Sequence, residues 1–164
     1  MRDTEFLAHL LRVEDPWKVV ESQLDLKRQR VDVRLEWEGP GRCPECGREC
    51  PMHDHRKRTW RDLDLCADQL YLHALVPRIN CPTHGVKTVV VPWATGRTEF
   101  TERFERVAIA LLLEMSVAGV ARRLAISWDQ VDAIMDRAVK RGRGRRQARI
   151  VAHLGIDEKA VKKG

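Results

Sequence analysis

Two short stretches of this chain repeat one pattern: "RCPECG" at residues 42–47 and "NCPTHG" at 80–85, each a Cys-Pro, any residue, Cys or His, then Gly. A Cys-x-x-Cys knuckle turns both side chains toward one point, and the backbone amides that follow face the sulfurs. Gly47 and Gly85 stand where a left-handed backbone is needed. Thirty-four residues separate Cys46 from Cys81. Two knuckles converging on one metal therefore clamp together segments that are far apart in the chain. The leading ligand set is Cys43, Cys46, Cys81 and His84, a Cys₃His site with all four positions filled by protein. Such a closed site holds structural zinc and leaves no position for catalysis. "ECPMHDH" offers a competing set through Cys50 or His53, which repeat the Cys-Pro-x-His spacing without the Gly. Cys66 lies in an apolar, strand-like run and reads as a buried small hydrophobe.

A chain of 164 residues makes one ordinary domain or two small ones, and small domains need such a staple. Five cysteines, no hydrophobic leader and no apolar run of membrane-spanning length point to a reducing compartment, the cytosol. The net charge of +6 is concentrated in one place. Residues 140–149, "KRGRGRRQAR", carry Lys140, Arg141, Arg143, Arg145, Arg146 and Arg149 with no acid, and the remaining 154 residues balance to zero. Interrupted by Gly142 and Gly144, this run is expected to be a flexible basic strap suited to a polyanion. As a solvated linker it would need no ligand.

The hydrophobic pattern changes character along the chain. "FLAHLLRV" places Phe6, Leu7, Leu10 and Leu11 at helical spacing before Pro16. "VDVRLEW" then alternates like a half-buried strand, with "VVESQLDL" as its hairpin partner across a turn near Lys27 to Arg30. "TWRDLDLC", "QLYLHALVPRI" and the β-branched "VKTVVVPW" read as further strands. From Thr101 the period lengthens to that of helices, with Thr98 or Thr101, Ser116 and Ser127 as N-caps. The fold class is α+β: a small β-rich zinc-ribbon-like domain over residues 1–94, a three-helix domain over 97–141, and a basic linker over 142–149.

"SVAGVARRLAISWDQVDAIMDRAV" has the register of a helix-turn-helix, with Ala125 and Ile126 in the turn. Val120, Ala121, Leu124, Val131 and Ile134 face inward, and Trp128, Asp129, Gln130 and Asp132 open the second helix. Gln130 can pair with adenine, and Asp132 can accept from cytosine. A left-handed Ala125 costs about 1 kcal/mol. Asp129, Asp132 and Asp136 repel phosphates, so binding of double-stranded DNA leans on Arg122, Arg123 and the strap. A three-helix bundle used for protein contacts is the plainer alternative.

Together, "CPECG", "WRDLDL", "PRINCPTHGV", "VPWA", "FTERFE", the segment from Ser116 to Val139 and the terminal "GIDEKAVKKG" resemble the N-terminal part of bacterial insertion-sequence transposases of the ISL-three family. That resemblance implies a zinc finger and a helix-turn-helix that bind the terminal inverted repeats, followed by a ribonuclease-H-like domain with a DDE carboxylate triad. It matches Cys43, Cys46, Cys81 and His84 to the zinc ligands and Asp157 to the first catalytic carboxylate. It makes "IVAHLGID" the first strand of a truncated catalytic domain, residues 150–164. After Asp157 only Glu158 is acidic, and two-metal phosphoryl transfer needs several carboxylates. The chain alone is therefore expected to be inactive, with Mg²⁺ relevant only to a complete catalytic domain. Its expected partners are transposon ends, a second copy, or a full-length transposase. Two other readings are a stand-alone repressor of transposition and a zinc-ribbon protein-interaction module.

Overall fold

The computed structural model describes residues 2–145, a chain that divides into two compact units between Leu111 and Leu112. The first unit runs α1 (Asp3–Leu11), β1 (Trp17–Asp25), β2 (Arg30–Trp37), β3 (Met52–Leu65), β4 (Asp68–Cys81), β5 (Gly85–Thr88) and nearly all of α2 (Glu102–Leu112). The second contains α3 (Val117–Leu124) and α4 (Trp128–Arg145). This is an α+β chain, a β-rich region followed by helices. No described helix is long and apolar enough to cross a membrane.

Strand β4 organises the sheet, whose order is β1-β2-β4-β3 with β5 added to the far end of β4. It pairs antiparallel with β3 and β5 but parallel with β2. Its residues alternate, and Leu70, Leu72, Ala74 and Val76 are buried. The β1–β2 hairpin forms as the alternation predicts. Its turn lacks Gly and Asn, and two other devices replace them. The Asp25 carboxylate accepts the amides of Lys27 and Arg28 at 3.0 and 3.1 Å, and Gln29 adopts φ 49°.

Four tryptophans run edge to face through the core. Trp93 lies 4.9 Å from Trp17 and 5.5 Å from Trp60, and Trp17 lies 5.2 Å from Trp37. The preferred aromatic geometry thus joins the "VPWA" segment to β1 and β3. It also shortens the last expected strand. β5 stops at Thr88, since the Val90 carbonyl takes the Trp17 indole N–H at 3.3 Å and Pro92 has no amide to offer a ladder.

Helix α2 is fixed to β3 by one buried carboxylate. Asp62, 1% exposed, accepts from the Leu63 amide (2.8 Å), the Thr101 hydroxyl (2.8 Å) and Arg103 Nε (2.6 Å), and its second oxygen takes the Arg103 terminal nitrogen. Arg103 also donates to the Leu10 carbonyl at the end of α1. Alongside, the Arg61 amide and carbonyl pair with Glu99 and Thr101. The Thr101 hydroxyl accepts the Phe104 amide at 3.3 Å, serving as the expected N-cap. These bonds place α2 with the sheet.

Cys66 corrects its sequence reading. It is exposed, at φ 58°, in the two-residue turn between β3 and β4. The flexible strap is also corrected in part. α4 continues through Gly142 and Gly144 to Arg145, so residues 142–145 are helical. Arg146, Arg149, Asp157 and the rest of 146–164 lie outside the described residues.

Two substitutions test these anchors. Asp62→Ala leaves Arg103 half-buried without its partner and is expected to cost about 3–5 kcal/mol in denaturant unfolding. Ala125, at φ 52°, carries a strain that glycine lacks, so Ala125→Gly should stabilise the second unit by about 1 kcal/mol. A lower thermal midpoint for that variant would contradict the assigned turn.

Candidate metal centre and helix-turn-helix

The two knuckles meet. One ligand atom from each of Cys43, Cys46, Cys81 and His84 lies within 4.8 Å of the others. Cys43 and Cys46 come from the β2–β3 connection, whereas Cys81 ends β4 and His84 precedes β5. In each turn the Gly has positive φ, 70° at Gly47 and 68° at Gly85. The first turn closes through the Gly47 amide on the Cys43 carbonyl at 2.8 Å and the Cys43 amide on the Arg48 carbonyl at 2.9 Å. Gly41, just before it, passes so close to β4 that a Cβ there would stand 2.5 Å from Ile79.

The spacing of the donor atoms fits zinc. Tetrahedral coordination with Zn–S near 2.3 Å and Zn–N near 2.0–2.1 Å sets sulfur–sulfur distances of about 3.8 Å and sulfur–nitrogen distances of about 3.6 Å. Cys46 and Cys81 sulfurs are 3.8 Å apart, and His84 Nδ1 is 3.6 Å from Cys43 Sγ and 3.5 Å from Cys81 Sγ. Two of the three thiols are shifted toward thiolate, while the neighbouring Cys43 and Cys81 hold Cys46 above its usual value. Burial raises the Cys81 thiol, but the His84 and Thr83 amides, the His84 ring and Cys46 outweigh it and bring the group down to about 6. Cys43 is lowered too: burial opposes ionisation, and the Cys46 and Glu45 amides overcome it. Thiolate is the form a metal takes.

A carboxylate stands behind the histidine. With Nδ1 facing the sulfurs, His84 Nε2 lies 3.5 Å from Glu45, whose other oxygen is 2.5 Å from Lys87 Nζ. Such a carboxylate fixes the ring's tautomer and orientation. Glu45 is the variable position of the first knuckle, and spacing alone does not single it out. Of the competing ligands, Cys50 borders the cluster, its thiol against Cys81, but stands outside the four converging donors. Cys50 is buried and donates to the Arg48 carbonyl at 3.4 Å, and His53 is exposed on β3.

In the second unit Ser116 caps α3 through the Gly119 amide at 3.2 Å. The Ser127 hydroxyl accepts the Gln130 amide at 3.1 Å, and Gln130 Oε1 accepts the Ser127 amide at 3.0 Å. This reciprocal capping box starts α4 and gives Gln130 a structural task beside the base-reading one expected of it. Val120, Val131 and Ile134 are fully buried. Trp128 is 54% exposed, Asp129 is exposed and Asp132 half-buried. Arg122 and Arg123 are exposed in the last turn of α3. On α4, Lys140 pairs with Asp136 at 2.6 Å, Arg141 and Arg143 are exposed, and Arg145 ends the helix.

Comparison with known proteins agrees with both halves. Residues 39–84 match the zinc-finger of transposase IS204/IS1001/IS1096/IS1165, and residues 89–139 match the helix-turn-helix domain of transposase family ISL3. The transposases for insertion sequence element IS1557 of Mycobacterium tuberculosis strains CDC 1551 and H37Rv are each 36% identical over 126 residues. That alignment covers 74% of this chain but 28% of those relatives, so the chain spans less than a third of their length. No solved structure matches. With both of the family's modules in order on one chain, the protein belongs to the ISL3 transposases and carries their N-terminal zinc-ribbon and helix-turn-helix region.

Proposed function

We propose that this chain is the DNA-binding part of a transposase, holding the inverted repeats at the ends of its element, and that zinc at Cys43, Cys46, Cys81 and His84 serves structure alone. The observation that carries this reading is the Ser127–Gln130 capped start of α4. It leaves Trp128 and Asp129 exposed on the first turn, as the recognition helix of a helix-turn-helix requires. Arg122, Arg123, Lys140, Arg141, Arg143, Arg145, Arg146 and Arg149 supply phosphate contacts. Trp128, Gln130 and Asp132 read base edges, Gln130 only by giving up its capping bond.

Binding of end-sequence duplexes, followed by fluorescence anisotropy between low and moderate salt, tests the reading. Arg143→Ala with Arg145→Ala should flatten the plot of log affinity against log salt by about 2, at about 0.9 per phosphate, on every sequence. Gln130→Ala should change the preference between sequences and also loosen the start of α4. A chain that binds no duplex at low salt would refute the proposal.

Zinc should co-purify at one ion per chain, measured by elemental analysis. Cys43→Ser should abolish it, whereas Cys66→Ala should retain it. Glu45→Gln should weaken zinc binding about tenfold in chelator competition, the low end for a carboxylate behind a ligating histidine, since Glu45 is half exposed.

A further inference from the structure

Strand β3 is an edge of the sheet, and its free side is only partly covered. At Arg61 the segment Glu99–Thr101 pairs with it in a parallel bridge, taking both the amide and the carbonyl. Backbone groups repeat direction every second residue along a strand, so the amides of Thr59 and Lys57 face the same way as that of Arg61. There the covering segment diverges, and no described residue accepts from either amide. A groove of about 840 Å³ within the first unit is lined by β3, by Arg78, Val86 and Thr88 of β4 and β5, and by residues 89–91 and 94–99.

The groove is cationic. Arg56, Lys57, Arg58, Arg78 and Arg97 are among its lining residues, with Glu99 the one acid. Arg78 is committed to Asp54. Arg58 stacks 4.7 Å over the Trp60 ring and donates to the Gly96 and Thr98 carbonyls at 3.2 and 2.9 Å, so its charge is held in place without a carboxylate. Arg56, Lys57 and Arg97 form no ion pair among the described residues. Burial, with the neighbouring Arg56 and Arg97 charges, lowers the Arg58 guanidinium from its usual value. An unpaired cationic cluster facing open strand amides is a concavity for an anion, and like-charge repulsion there is relieved by one.

We propose that this groove is a second DNA contact, separate from the helix-turn-helix, which seats one sugar–phosphate strand of a duplex along the open edge of β3. Phosphate oxygens accept from the Lys57 and Thr59 amides and from Arg56, Arg58 and Arg97. The contact is made to the sugar–phosphate backbone alone and carries no base readout. It rests on the DNA-binding reading above and adds to it a site in the zinc-bearing unit. An extended peptide paired to the same edge is the rival occupant, and the cations favour the phosphodiester.

The test uses the full chain with duplexes of about 30 base pairs, end-sequence and scrambled. Arg56→Ala with Arg97→Ala removes two exposed side chains that anchor nothing, and retained zinc and an unchanged circular dichroism spectrum establish that the variant folds. Its salt plot should be less steep by about 2 for both duplexes, with their affinity ratio unchanged. Arg97→Glu alone, in the exposed turn at residues 95–97, should weaken both duplexes equally and carries the test if the double variant fails to fold. If the Arg143 and Arg145 variant flattens the slope but the groove variants match the wild type, the groove contact is refuted and the DNA-binding reading stands. That outcome holds even if the edge proves to bind peptide. If the wild-type chain binds neither duplex, both fail.

Discussion

One carboxylate decides how this protein is put together. Asp62 sits in the interior of a strand, and every lone pair that matters is used: an amide of its own strand, a threonine hydroxyl and both arms of an arginine from a helix more than 35 residues downstream. A charge removed from water in this way is tolerated only when its partners arrive together. The strand, the Thr101 cap and α2 therefore have one joint arrangement rather than a range of loose ones. The "WRDLDL" and "FTERFE" motifs, distant in sequence, are the two sides of that contact.

The metal centre and the aromatic core divide the remaining work. Tryptophan edges gather the first strands around Trp93, while the four donor atoms secure the opposite end of β4, where the chain has turns and little apolar mass. The end near Cys81 has only the short β5 and a knuckle loop to cover it, and this is where a small domain gains most from a covalent-like clamp.

Much of the site was legible because cysteine, histidine and glycine at fixed spacing have few other uses. The alternating strands, the Ser116 and Ser127 caps and the strained Ala125 could be read in the same way, each from a local rule. What escaped was non-local. The parallel pairing of β2 with β4 has no signature in either strand, and Asp62 looks in sequence like any solvent-facing acid of an alternating run. Cys66 fits an apolar strand until the hairpin needs a turn residue there. Val89–Val91 has every property of a strand, but its carbonyl at Val90 is claimed by an indole. Glu45 could have been noticed only by asking what would stand behind His84. Gly142 and Gly144 argued for a flexible strap, yet the helix that starts at the Ser127 capping box carries through them.

That continuity sets a phase. Along an α-helix each residue advances about 100° and 1.5 Å, so Arg143 stands about 22 Å from Trp128 and within about 60° of the same side. Recognition turn and cationic end thus behave as two teeth on one rigid bar, spaced and clocked together. Inserting a single residue between them would swing the far tooth by about 100°, whereas inserting four would turn it by only about 40° and shift it by about one helical pitch. Length variation in this helix is therefore quantised: changes of one or two residues uncouple its ends, and changes near a full turn preserve them.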